Sequence, residues 1–316
     1  MRWLVTGAGG ALGHDLLAVL GSRVSGSRVS GSRVSGSRPD DQVTGATRAE
    51  LDITDADAVR AAVAGQDVVV NAAAYTAVDN AETDEATATV VNGEAVALLA
   101  RACAEAGAVL LHLSTDYVLP GDATSPCPED APTDPVNAYG RSKLEGESAV
   151  LTILPARGYV VRTAWLYGET GTNFVATMLK LAAARPGVTV VDDQRGQPTW
   201  TFALAQQLAA LGEAAVGGQA EAGIYHGTAA GETSWFGLAR AVYVAAGLDP
   251  ERVQPTTSEA FPRPAKRPAY SVLGHGRWAA SGVAVQPDWH DQLLDALRRP
   301  SFAALIEAAR TDLVTQ

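Results

Sequence analysis

A glycine turn set between a strand and a helix constrains this chain more than any other feature. Gly7-Ala8-Gly9-Gly10-Ala11-Leu12-Gly13 follows the apolar run Trp3-Leu4-Val5-Thr6 and precedes a helical stretch to about Leu20. Gly7, Gly10 and Gly13 are spaced G-x-x-G-x-x-G. Strand, tight turn and helix in this order open a βαβ unit, which commits the chain to a parallel sheet with right-handed crossovers. Small residues at the turn let the backbone approach a pyrophosphate closely. The helix N-terminus adds free N–H donors and the positive end of the helix dipole. Glycines alone make ordinary turns; their place after an N-terminal strand is what points to a dinucleotide. Gly7, Gly10, Ala11, Leu12 and Gly13 are therefore the first candidate cofactor contacts.

Later segments keep the same rhythm. Asp67-Val68-Val69-Val70-Asn71 is a short continuous apolar run, the form of a strand buried on both faces. Val90–Ala106 reads as a helix closed by Gly107, where a left-handed backbone is needed. Gln42–Thr47, Val109–Leu113 and Val160–Ala164 are further strands. The expected fold class is α/β, a doubly wound parallel sheet of the Rossmann kind. Past Ala164 the chain carries more Pro and Trp and fewer clean repeats. The expected division is a dinucleotide-binding domain over 1–165 and a smaller α/β domain over 166–316. This second part closes over the cofactor and returns in places to the main sheet. Ser301 is the expected N-cap of a last helix running to about Val314.

The 316 residues, 47% apolar and 19% charged, are enough for a large core. Acidic residues outnumber basic ones 35 to 24, a net charge of −11 that repels nucleic-acid phosphates and anionic lipid. Neither is an expected partner, although a local basic pocket still suits a phosphorylated small molecule. Cys103 and Cys127 are too few for a disulfide framework and lack metal-ligand spacing, as in a reducing compartment. No apolar run is long enough to span a bilayer, and a strand from Arg2 leaves no room for a signal peptide. A cytoplasmic protein, monomeric or weakly dimeric, is expected.

Arg-Val-Ser-Gly-Ser occurs three times in tandem over residues 23–37. A five-residue period matches no packed repeat, and the Ser/Gly content favours a flexible insert. A ribose contact is expected about 20 residues beyond the glycines. Thr47 lies 34 residues past Gly13, and without the 15 repeat residues the spacing falls to 19. The strand then ends at Thr47-Arg48 rather than at an acid. Arg48 either pairs with a ribose 2′-phosphate, which favours NADPH, or is a solvated surface arginine.

Tyr139-Gly140-Arg141-Ser142-Lys143 carries the chemistry. Spacing i, i+4 puts Tyr139 and Lys143 on one helix face. A free tyrosine, with pKa about 10, is a poor acid at neutral pH. A nearby ammonium stabilises the phenolate and lowers that value by about 1–3. The phenol can then protonate a developing alkoxide while hydride arrives from a nicotinamide. Tyr-x-x-x-Lys alone is common on helix surfaces. Here it follows Ser114-Thr115-Asp116, 24 residues upstream at a strand end, where ligands of a doubly wound sheet sit. Thr115, Tyr139 and Lys143 are the candidate catalytic residues.

With these stretches on the page, the chain resembles an extended short-chain dehydrogenase/reductase, and more closely the dTDP-4-dehydrorhamnose reductase family. The resemblance also rests on Leu51-Asp52-Ile53-Thr54-Asp55, on Val70 through Asp79, on Ser114-Thr115-Asp116-Tyr117-Val118, on Arg162 through Gly168, on Asp193 through Thr199, and on Arg267-Pro268. It implies reduction of the C4 keto group of a dTDP-4-dehydro-6-deoxy-L-sugar by NADPH or NADH. It places Asp52 and Ile53 near adenine, and Ala72, Ala73, Ala74 and Tyr75 along the cofactor. Asp116, Tyr117, Trp165, Asn173 and Arg267 would join Thr115 in facing the sugar nucleotide. A tryptophan face packs on a sugar or base, and an arginine suits a diphosphate.

Two departures from the family pattern stand out. Leu119-Pro120-Gly121 replaces the usual Phe-Asp-Gly or Phe-Pro-Gly, removing an aromatic expected beside the sugar. Some relatives bind Mg²⁺ through carboxylates at a dimer interface, where this chain aligns Asp15, Phe202 and His290, so a metal-bridged dimer is not expected. Three readings follow: a 4-keto reductase for rhamnose or an antibiotic sugar such as dihydrostreptose, a sugar-nucleotide epimerase holding its own NAD⁺, and a non-enzymatic regulatory subunit. Retention of Thr115, Tyr139 and Lys143 favours the first.

Overall fold

The computed structural model describes residues 1–24 and 42–311. From Ser25 onward the tandem repeat, read from sequence as a flexible insert, lies outside the described residues.

Six parallel strands form one sheet: β1 (Arg2–Thr6), β2 (Gln42–Ala46), β3 (Val68–Asn71), β4 (Val109–Thr115), β5 (Gly158–Thr163) and β6 (Gly223–His226), in the order β6-β5-β4-β3-β1-β2. Side chains alternate across a strand, so a strand apolar at every position must be covered on both faces. Trp3, Val5, Val70, Leu111 and Val161 pack with Leu16 and Leu20 of α1 (Ala11–Val24) and with Leu204, Leu208 and Leu211 of the helix Thr201–Val216. Leu4, Val69, Leu110 and Val160 face the other way, onto Val59 and Val63 of α2 (Ala56–Val63), Leu99 of α3 (Ala95–Ala106) and Val150 of α4 (Ala138–Ile153). The sheet is doubly wound, as expected.

α3 ends at Gly107 with φ 68°, the left-handed cap read from the sequence. The helix read as Val90–Ala106 is not uniform, however. Val90–Glu94 is a π-helical turn, which leaves an extra residue in the wall facing α4. The last helix also differs. Among the described residues it spans Pro300–Thr311, the end expected near Val314 lying outside them; proline takes the first helical position, and the Ser301 hydroxyl donates to Glu169 Oε2 at 2.9 Å instead of capping.

Beyond β5 a second core gathers Tyr167 of the short strand Leu166–Tyr167 with Leu179, Val242, Tyr243, Leu293 and Phe302, from the helices Phe174–Ala184, Trp235–Ala245, Trp289–Leu297 and Pro300–Thr311. β6 and the helix Thr201–Val216 belong to the main sheet, although they come from the second half of the chain.

Candidate active site

The glycine turn sits at the carboxyl end of β1, between the ends of β2 and β3. Gly7 has φ +70°, and a Cβ on it would lie 2.6 Å from Ala72 C and Ala73 N. A Cβ on Gly13 would lie 2.3 Å from Gly7 O. The backbone is closed into a cradle that side chains would fill, with Gly9 and Gly10 exposed at its rim. Ala11 opens α1, and Leu12 is buried beneath. This is the shape a pyrophosphate requires. Arg48 is exposed in the turn after β2, close enough to Asp52 to help hold its carboxyl below the usual range. The main cause of that shift is Thr54, whose N–H and hydroxyl both donate to Asp52 Oδ1. Ile53 is buried. Ala72, Ala73, Ala74 and Tyr75 follow β3 and are half-buried.

Thr115 and Thr163 are register partners at the ends of β4 and β5. The Thr115 hydroxyl lies close enough to the Tyr139 phenol to favour its ionised form, and its Oγ1 donates to Asp116 Oδ1 at 2.9 Å. The Tyr117 and Tyr139 rings meet edge-to-face at 5.9 Å. Asp116 is 2% exposed and its Oδ2 has no hydrogen-bond partner. Burial pushes this carboxyl up to about 6, against the opposing hydroxyls of Ser271 and Thr115. Thr115, Asp116, Tyr117 and Tyr139 thus meet at one strand end.

The expected effect of Lys143 on Tyr139 is not what this arrangement gives. Burial, and secondarily Asp116, pushes the Tyr139 phenol up, and Thr115 alone opposes them. Lys143 Nζ donates to Leu113 O at 2.6 Å, so its ammonium is directed at the β4 backbone. Burial pulls Lys143 itself down to about 8, although Glu147 favours its charged form.

Three groups of residues not named as candidate site residues brace this site. Thr6, Asn71 and His112 stand side by side on β1, β3 and β4 and are all buried. Thr6 Oγ1 and the Ala73 N–H both donate to Asn71 Oδ1, at 2.7 and 3.3 Å. That fixes the amide so that Nδ2 donates to His112 Nδ1 at 3.0 Å and leaves His112 Nε2 3.5 Å from Lys143 Nζ. Burial, with Lys143 second, holds His112 neutral. Asn92, in the π turn, accepts from the Tyr75 N–H at 2.9 Å and donates to Tyr75 O and Ser142 Oγ, both at 3.0 Å. It pins the loop after β3 to the helix carrying Tyr139. Finally, Glu147 pairs with Arg162 at 2.7 Å and accepts from Ser114 Oγ at 2.5 Å, all buried.

The remaining expected substrate contacts have other engagements. Asn173 caps the helix Phe174–Ala184, its Oδ1 accepting from the Ala176 N–H and its Nδ2 donating to Gly168 O. Arg267 is half-buried, paired with Asp79 at 3.0 Å and lying over the Tyr117 ring at 5.9 Å. The Asn137 amide, which caps α4, donates to Lys266 O at 2.9 Å, so this basic loop is tied to the start of the Tyr139 helix. Trp165 stacks on Trp235, a residue the motifs did not mark. Leu119 is 1% exposed in a small core with Val118, Cys127 and Leu273. Leu119 therefore fills a packing position at the place where the family pattern has an aromatic.

Among families of known proteins, the model described as the RmlD substrate binding domain matches residues 1–301. The chain is similar to a dTDP-4-dehydrorhamnose reductase of Streptomyces griseus, 52% identical over 306 residues, covering 96% of this chain and 94% of that protein. It is 44% identical to a dTDP-4-keto-6-deoxy-D-glucose reductase of Streptomyces niveus, covering 93% and 96% of the two chains. Among solved structures, a dTDP-4-dehydrorhamnose reductase of Bacillus anthracis in complex with NADP superposes with a TM-score of 0.81. It is 31% identical, covering 94% of this chain and 98% of that one.

Proposed function

The chain belongs to the RmlD substrate-binding-domain family, and from that membership we propose that it reduces the C4 keto group of a dTDP-4-dehydro-6-deoxy-L-sugar with NADPH as reductant. The observation that carries this reading is the contact between Thr115 and the Tyr139 phenol at the carboxyl end of the sheet. It puts two hydroxyls at one strand end, so that a ketone bound there would take the Thr115 proton now given to Asp116 as a hydrogen bond and the Tyr139 proton as the acid. A bound nicotinamide supplies the hydride.

The chain's own residues do the rest. Gly7 through Gly13 seat the pyrophosphate on the α1 N-terminus. Ala72 through Tyr75, pinned by Asn92, line the path of the cofactor. Thr115 orients the ketone, Tyr139 gives up its proton as the alkoxide forms, and Lys143 on the same helix face turns from Leu113 O to hold the nicotinamide ribose. Asp116, Tyr117, Trp165 and Arg267 surround the sugar diphosphate. Asn173 contributes by fixing the end of its helix. In this reading residues 1–165 hold the cofactor, and 166–316 chiefly hold the substrate, less the part returned to the sheet. Among the described residues no helix is long and apolar enough to cross a membrane. We take the protein to work in the cytoplasm as a monomer or weak homodimer, without nucleic acid.

Loss of NADPH absorbance with dTDP-4-dehydro-L-rhamnose, followed by product identification, tests the function. One NADPH consumed per sugar reduced is expected. Interconversion of sugar isomers with no external reductant would establish the epimerase reading instead. A finer prediction concerns Arg48. Its exposure beside the turn leaves it free to reach a 2′-phosphate, and one charge-assisted contact is worth about 1.5–3 kcal/mol. Arg48→Ala is expected to raise KM for NADPH by about 10–100-fold and to leave NADH nearly unchanged. Equal effects on the two cofactors would show that Arg48 does not read the 2′-phosphate.

A further inference from the structure

Among the described residues, Trp165 is the one non-glycine with a positive φ, +48°. L side chains rarely adopt this conformation, and it persists only where the surroundings impose it. Two neighbours do so here. Gly196 leaves the space: a Cβ there would lie 2.5–2.8 Å from the Trp165 indole. Trp235 supplies the contact, its ring parallel to that of Trp165 at 3.7 Å and 8°.

Trp235 is itself held on several sides. Its Nε1 donates to Gln194 Oε1 at 3.2 Å, and Gln194 Nε2 donates to Ser258 Oγ at 2.8 Å. Phe174 packs against the ring at 4.7 Å. Ser234, which caps the helix Trp235–Ala245, donates to Asp192. The segment 192–196 thus fixes Trp235 and makes room for Trp165. A rigid stack has been built around a strained residue.

Its position says what the stack serves. Trp165 lies two residues past Thr163, the register partner of Thr115, and so stands just beyond the strand ends at which Thr115 is placed. Both indoles are half-buried, and with a centroid separation of 3.7 Å nothing fits between them. A ligand must use the face of Trp165 turned away from Trp235.

We propose that Trp235 is a positioning residue for substrate binding: it holds Trp165 in its left-handed conformation as a platform for the apolar face of the sugar ring. This rests on the reductase reading above. A 6-deoxy sugar offers a methyl group and ring C–H bonds to such a face, and a more hydroxylated sugar offers less.

The test is a double-mutant cycle with an optical control. Stacked indoles give an exciton couplet in circular dichroism, measured on the protein without ligand. Trp235→Ala is expected to lose the couplet, to raise KM for the dTDP-linked keto sugar by about tenfold, and to leave KM for NADPH unchanged. Trp235→Phe is expected to recover most of the sugar affinity. In a Trp165→Ala background, Trp235→Ala is expected to add nothing further to the sugar KM. An equal increase in that background, or a lost couplet with the sugar KM unchanged, would overturn the proposal. Wild-type protein that fails to oxidise NADPH with the sugar would overturn the reductase reading, while the ligand-free couplet would still report whether Trp235 holds Trp165.

Discussion

Tyr139→Phe is expected to lower turnover by about 10²–10⁴-fold while leaving the melting temperature and NADPH affinity close to those of the wild type. The substitution removes one hydroxyl from a ring that stays packed edge-to-face on Tyr117. What is lost is the proton carried beside Thr115 at the strand end. The phenol sits in a site that opposes its ionisation, since burial and the Asp116 carboxyl both push its pKa up. A buried neutral phenol is a poor acid until negative charge develops next to it, so proton transfer is tied to hydride arrival at the same carbonyl. Single-turnover reduction of the correct sugar, with NADPH binding measured separately, checks the expectation. Turnover near the wild-type rate would mean that another group supplies the proton, and buried Asp116 would be the next to test.

How much of this was legible in the sequence depends on the kind of signal. The strands around Val68–Asn71 and Val109–Thr115 could be read because two-sided burial demands unbroken apolar runs. Gly107 marked a helix end because only a left-handed cap fits there. Tyr139, Lys143 and the glycine turn were visible because their chemistry fixes a spacing. Other features leave no such trace. The π turn at Val90–Glu94 adds one residue to a helix without breaking its apolar pattern, so Asn92 looked like an ordinary helix residue. His112 sits inside an apolar strand, and its link to Asn71 is set by strand register, 41 residues away in the chain. Trp235 stacks on Trp165 across 70 residues, a pairing that neither local sequence predicts. The direction of the tyrosine pKa shift is hidden from the sequence for a related reason. Sequence places Lys143 one helical turn from Tyr139 but cannot show that its Nζ turns to Leu113 O.

The other large effect expected is on stability, at a pair not named among the candidate site residues. Glu147 and Arg162 are 1% exposed each and meet through two hydrogen bonds, Arg162 Nε to Glu147 Oε1 at 2.9 Å and Nη2 to Oε2 at 2.7 Å. Glu147 lies four residues beyond Lys143 on the same helix face, and Arg162 lies on β5 beside Ser114 of β4. The pair therefore ties the catalytic helix to the strands whose ends carry Thr115 and Thr163. Removing one member leaves the other charged and buried, which costs about 3–5 kcal/mol in comparable settings. Glu147→Leu and Arg162→Met are each expected to lose roughly that much, a fall in melting temperature on the order of 10 °C for a chain of this size. The double variant should be far less damaged than the sum of the two, because neither charge is then stranded and the space is refilled with apolar atoms. Denaturant unfolding of all four proteins measures the coupling directly. Singles that each lose under about 1 kcal/mol would show that water reaches the pair on opening, and additive losses would show that the two side chains stabilise the fold independently. Glu147→Gln separates stability from chemistry. It keeps the shape but removes the charge that favours protonated Lys143, so Lys143 should lose its proton at lower pH than in the wild type, and the pH profile of turnover should shift even where the folded fraction is complete.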